Sequence, residues 1–201
     1  MAVAFPELPL FVGAQVGTPG PANMAMLAVG ARYGFLAAMP FVAGVIVGKQ
    51  LIIWPLGFGL LNLAEQAPLV FALFKYASAA YILWLAWKVA NMRLNVVKDD
   101  VQVPGFVHGL IIHPLNPKAW AMITASFTNF VETGTSALQA TIWVATCLFG
   151  VQLLLHPIWA FAGEKIAATV AGTPKERVLM VLLAVLTALS VFYVLFAEGK
   201  S

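Results

Sequence analysis

Thr18-Pro19-Gly20-Pro21-Ala22-Asn23 falls near the middle of an apolar run, about 9–29, that is long enough to cross a membrane. Two prolines and a glycine there interrupt main-chain hydrogen bonding. Proline has no N–H, and its ring clashes with the preceding turn. Hydrocarbon holds no water to satisfy the freed groups, so irregular backbone at that depth survives only against protein or a water-filled cavity. A second break of the same kind, His113-Pro114-Leu115-Asn116-Pro117-Lys118, occurs in the second half of the chain. The two breaks are expected to face each other and to build one shared site.

Composition supports a membrane solvent. Of the 201 residues 62% are hydrophobic and 9% charged, with mean hydropathy +0.92. Soluble domains carry about 25% charged residues, so this chain has too little polar surface to cover a soluble core. The formal charge of +3 is spread over several loops rather than one patch, which gives no reason to expect a nucleic-acid partner. The single Cys147 forms neither an intrachain disulfide nor a Cys-x-x-Cys redox pair. Met1 to Pro9 lacks the basic segment of a secretory signal, so the first apolar segment is expected to be retained.

Six spans are expected, at about 9–29, 37–61, 69–90, 106–131, 138–162 and 177–197. Each is near the ~20 residues that cross ~30 Å of hydrocarbon. Arg32, Lys88, Arg93, Lys98, Lys165, Lys175 and Arg177 then fall in or beside three connections on one face. That basic face is read as cytoplasmic, which leaves both termini periplasmic. Glu7, Glu65, Glu132 and Glu198 fall on the other side.

The polar stretch at about 91–105 divides a single transmembrane domain, 1–201, into repeats at about 1–92 and 104–201. Three spans per repeat force opposite orientations, the layout of inverted-repeat transporters. The expected fold is therefore an all-α membrane protein of two inverted three-helix repeats. Its first and fourth helices are broken, with Pro19 and Pro117 in corresponding places. Gly44 and Gly48 form a Gly-x-x-x-Gly that allows close helix approach, within the protomer or across a homodimer. Lipid is the surrounding partner.

The ionisable residues inside the spans point to a site. Lys49, Lys75 and Lys118 lie in apolar runs whose interiors lack Asp and Glu. A cation at the bilayer centre costs about 2.5–3.5 kcal/mol on insertion scales. Lys75 lies ~10 Å into its span at 1.5 Å per residue and is within snorkelling reach of the interface; Lys49 is deeper. With no internal carboxylate, the missing anion is either a substrate carboxylate or is made unnecessary by loss of a proton. Main-chain N–H groups around Gly20, Pro21 and Pro117 add a second anion-binding element. Asn23 and Asn116 either seal broken backbone or bind ligand. His113 and His156 are candidate proton relays. No metal cluster, cofactor motif or nucleophile–base pair is present to suggest an enzyme.

These motifs resemble those of the LysE/RhtB family of amino-acid exporters. Thr18-Pro19-Gly20-Pro21 is similar to that family's first-span signature. Lys75 through Trp87 resembles its third span, and Asn116-Pro117-Lys118-Ala119 its fourth-span motif. The resemblance implies a secondary transporter in the bacterial inner membrane, driven by the proton-motive force, that exports amino acids or related carboxylates. From the two breaks and the buried lysines, the residues expected at the substrate are Thr18, Pro19, Gly20, Pro21, Asn23, Lys49, Lys75, Asn116, Pro117 and Lys118. Lys49 stands where the family often has an acidic residue, which favours neutral or acidic cargo over lysine or arginine. The alternatives are a non-transporting subunit that packs with a partner, and a thiol-based membrane oxidoreductase, against which one cysteine argues.

Overall fold

Proline and glycine punctuate the helices where the sequence leads one to expect. A computed structural model describes residues 3–60, 68–91 and 102–197, and every regular element among them is helical. Helix α1, Glu7–Gly17, stops at Thr18, whose ψ of 146° is extended. Gly20 is extended too, and Pro21 opens α2, Pro21–Tyr33. Proline suits that first position because its missing N–H would have had no partner within the helix. Gly34 takes φ 88°, a left-handed turn that favours glycine, and α3, Phe35–Pro55, starts at once. A kinked turn, Leu56–Leu60, follows with Gly59 at φ 103°. Helix α4 is Pro68–Ala90. The fourth span is broken as expected, into α5, Phe106–Leu110, and α6, Pro117–Phe130. Then come α7, Ala137–Val170, and α8, Pro174–Ala197.

The largest difference in a boundary is at the end of the fifth span. Helix α7 is 34 residues long and runs past the expected end at 162. At 1.5 Å per residue it extends ~51 Å, well beyond ~30 Å of hydrocarbon. Its surplus turns hold Glu164 and Lys165, so Lys165 is helical rather than in a loop. Phe35–Gly59 and Ala137–Val170 are each long and apolar enough to cross a bilayer. The broken spans fail such a test because neither half is long enough alone.

Glycines set the closest contacts. A methyl on Gly44 or Gly48 of α3 would run into the carbonyls of Phe106 and Leu110 on α5, and one on Gly109 into that of Phe41. Gly30 of α2 lies against the main chain of Ala160 on α7, and Gly163 against Leu27. The Gly-x-x-x-Gly of the second span is thus used within the protomer and supplies no reason for a dimer. One apolar cluster joins α1, α3, α6 and α7 through Leu8, Val12, Ile52, Ile123 and Leu148. Another joins α2, α7 and α8 through Met24, Leu27, Ala167 and Met180. Outward-facing side chains are apolar as well, with Leu36 80% and Leu154 72% exposed, as expected where lipid is the solvent.

The two ends of the bundle are tied separately. At one, Ala4 N–H donates to the Phe130 carbonyl at 2.8 Å, and Gly57 packs on Thr141. At the other, Phe35 N–H donates to the Glu164 carboxylate at 2.6 Å and Arg177 Nη1 to the Ala90 carbonyl at 2.8 Å.

The helix starts also bring out a residue-level match between the two halves that the sequence reading missed. Gly48-Lys49-Gln50-Leu51-Ile52-Ile53-Trp54-Pro55 on α3 matches Gly150-Val151-Gln152-Leu153-Leu154-Leu155-His156-Pro157 on α7. Pro21 through Met26 likewise matches Pro117 through Met122, each stretch opening the helix after a break. The counterpart of Pro117 is therefore Pro21, not Pro19.

Candidate functional site

The two breaks meet. Lys118, in the first turn of α6, reaches back to the first break, where its Nζ donates to Thr18 Oγ1 at 2.8 Å and to the Pro19 carbonyl at 3.4 Å. Gly20 leaves room for it: a Cβ there would stand 3.2 Å from both Lys118 Cδ and Nζ. Pro21 is buried behind it and starts α2. Gly20, Asn23, Lys49, His113, Asn116, Lys118 and His156 line one cleft of about 30 Å³, room for one or two waters and well below the size of a ligand pocket, so a substrate enters only if the two breaks move apart.

Sealing explains the asparagines. Asn23 Nδ2 donates to the carbonyls of Val16 and Thr18, both at 2.7 Å, satisfying the end of α1. Asn116 caps α6, its Oδ1 accepting from Lys118 N–H at 3.1 Å. Trp120, missed by sequence reasoning, donates from Nε1 to the Pro114 carbonyl at 2.9 Å and closes the second break. Pro117 occupies the first turn of that capped helix. With these groups paired, Lys118 is the polar side chain that spans the gap.

Lys49 projects from α3 into the same cleft and is 3% exposed. It makes no hydrogen bond or ion pair with any described residue. No carboxylate lines the cleft among the described residues. Glu164 is engaged by Phe35 N–H, and Glu176 accepts from Gly172 N–H at 2.8 Å. Two lysines therefore share a small space with no carboxylate among the described residues. The Lys75 side chain lies outside the described residues.

His113 and His156 come together at the cleft wall, their rings stacked with centroids 5.7 Å apart. Between them is Gln152 of α7, fully buried and missed by sequence reasoning. Its Nε2 lies 3.5 Å from His113 Nε2 and 3.4 Å from His156 Nδ1. The repeated Gly-x-Gln-Leu-x-x-x-Pro was the sequence signal that could have found it. Gln15 of α1 also lines the cleft and was not anticipated.

Broken helices that meet over a polar cleft, inside a bundle with an apolar exterior, fit a helical membrane translocator. Comparison of the sequence with known families agrees: residues 15–197 match the model of the LysE type translocators, and the chain belongs to that family. It is similar to the cysteine/O-acetylserine efflux protein of Salmonella typhi, 29% identical over 177 residues that cover 88% of this chain and 91% of the relative. The cysteine/O-acetylserine efflux protein of Escherichia coli (strain K12) is 29% identical over 180 residues, with the same coverage. No solved structure matches.

Proposed function

We propose that this translocator is a six-span secondary transporter of the bacterial inner membrane that exports small carboxylate-bearing amino acids. The observation that carries this reading is Lys118, an ammonium from one break held only by neutral oxygens of the other, in a cleft with no carboxylate among its described lining residues. The substrate carboxylate supplies the missing charge there. Lys49 beside it disfavours cationic cargo, so zwitterions such as cysteine and O-acetylserine, named for the relatives, are the first candidates. Gly20 and Asn23 line one wall and Asn116 the other, while Thr18 and the Pro19 carbonyl hold Lys118 until substrate arrives and Pro21 and Pro117 open the helices behind. Lys75 gates or lines the path.

The matched Gly-x-Gln-Leu-x-x-x-Pro segments and paired breaks support two inverted three-helix repeats within one domain, rocking about the cleft. Glu164 and Arg177 tie the basic end, read as cytoplasmic; both termini are then periplasmic. His113 and His156 carry the coupling proton. Membrane lipid covers the exposed leucines.

Lys118→Ala, reconstituted in liposomes, is expected to insert normally and to lose most efflux of radiolabelled cysteine kept reduced. Undiminished efflux would reject the carboxylate role.

A further inference from the structure

A larger cavity stands apart from the cleft and shares none of its lining residues. It holds about 200 Å³ and forms a groove between α2, α3, α4 and α5. Val29 of α2, Phe41 of α3, Leu85 and Val89 of α4 and Ile112 beyond α5 make its walls apolar. An apolar cavity of about 150 Å³ stays dry and accepts a benzene-sized group, so this groove suits hydrocarbon rather than water. Its charged and ionisable groups gather at the basic end of the bundle. Lys88, in the last turn of α4, and His108 of α5 are both exposed and stand at the mouth. Trp84, one turn before Lys88, forms the rim and is 47% exposed.

We propose that this groove binds one anionic phospholipid, with part of an acyl chain between the helices and the phosphate at Lys88 and His108. Lys88 Nζ lies 4.2 Å from the centroid of the Trp84 ring and makes no ion pair with any described residue. An ammonium over an indole face is held at the mouth and still has protons to give to phosphate oxygens. The His108 imidazole supplies another donor. Arg177, bound to the Ala90 carbonyl, brings a further positive charge to that end. No carboxylate lines the groove among the described residues. An amino acid fits it poorly, because its ammonium would stand beside Lys88 with no anion to pair it. The tail by itself selects nothing, since bilayer hydrocarbon is as apolar as leucine. Discrimination therefore comes from the headgroup, where each Lys or Arg near an anionic surface is worth about a five-fold preference.

Lys165 supplies a control. It lies at the same end of the bundle, and its Nζ also sits over a ring, that of Phe161, at 5.0 Å. Glu164 Oε1 is 3.6 Å from that Nζ, and Lys165 lines no part of the groove. A lysine over an aromatic ring is therefore not enough for the proposed site; Lys88 differs by its free charge and by the apolar groove beside it.

The inference holds whatever the cargo, and its test needs no transport assay. The full chain is reconstituted in phosphatidylcholine vesicles. A minor fraction of the lipid is replaced by phosphatidylglycerol, or by phosphatidylcholine, brominated on the tails. Bromine quenches an indole that it touches, and the Trp84 share is the difference between the wild type and Trp84→Phe. That share should be half-quenched at a mole fraction of brominated phosphatidylglycerol about five-fold below that of brominated phosphatidylcholine. The preference should fall to within about two-fold in Lys88→Gln and persist in Lys165→Gln. Ala25→Phe, or Leu85→Phe should the first not fold, fills the groove while leaving the charges in place, and should also bring the preference within about two-fold. Equal quenching by the two lipids in the wild type overturns the proposal. So does a preference that survives Lys88→Gln or the filled groove, or that falls as far in Lys165→Gln. Shielding of Trp84 from both lipids alike would mean that a second copy or another stretch of the chain covers the groove, and overturns it too. Glycerol phosphate added in solution should not relieve the quenching; relief would point to a soluble anion and reject the lipid.

Discussion

Replacing Lys49 with leucine should make this protein more stable and a worse transporter. Most buried substitutions destabilise, because they leave a cavity or strain. Lys49 is different: it is 3% exposed and has no ion-pair or hydrogen-bond partner among the described residues. An ammonium deep in a span costs about 2.5–3.5 kcal/mol, and a leucine there gains about 0.3–0.6 kcal/mol. The cleft beside Lys49 admits some water, which recovers part of the ionic cost. A net gain of about 1–3 kcal/mol remains. The assay is reversible unfolding in mixed detergent micelles, paired with cysteine efflux from liposomes. A stabilised Lys49→Leu protein with impaired efflux is the expected pair of results. Loss of stability would show that Lys49 is paired or well hydrated after all. Full efflux would show that its charge plays no part at the substrate. Either result refutes the reasoning.

Asn23→Leu should destabilise by about 2–6 kcal/mol, since two carbonyls at the break each lose a donor at about 1–3 kcal/mol; unfolding in micelles measures it. Gly163→Leu should prevent assembly, because its side chain would enter the Leu27 main chain; failure to recover a monodisperse protein is the readout. Gly20→Ala should fold and raise the KM for efflux several-fold, because only a flexible lysine must move aside. An unchanged KM would separate Gly20 from the site.

Much of the architecture was legible because breaks in a lipid solvent are conspicuous. Proline and glycine at 18–23 and 113–118 had to end helices, and they do. That Lys118 would reach Thr18 was legible only as an expectation that the breaks face each other. Its two acceptors depend on the angle at which α6 leaves Asn116, which no local pattern encodes. The extra turns of α7 were missed because Glu164 and Lys165 look like a loop, although a helix continues freely once it leaves the hydrocarbon. Gln152 was missed for a different reason. An isolated glutamine among leucines has the composition of a packing residue, and only comparison with 48–55 shows it to be half of a repeated pattern.

The hydrogen bonds of Lys118 suggest how binding would drive motion under the proposed function. Its Nζ holds a hydroxyl and a carbonyl of the opposite repeat, both uncharged. A carboxylate is a stronger acceptor, with charge-assisted bonds roughly twice as strong as neutral ones. An arriving substrate would therefore draw Lys118 off Thr18 and Pro19, and the polar tie between the breaks would part as the ligand entered. A ligand shifts a conformational equilibrium only by its difference in affinity for the two states. Here that difference has a concrete source: the ammonium cannot serve both the first break and the substrate fully. Thr18→Val, which removes the hydroxyl partner while leaving Lys118 in place, should then weaken the tie and tighten substrate binding. A lower KM for cysteine efflux in Thr18→Val is the expected result. An increase would mean that Thr18 contacts substrate directly and that Lys118 is not released.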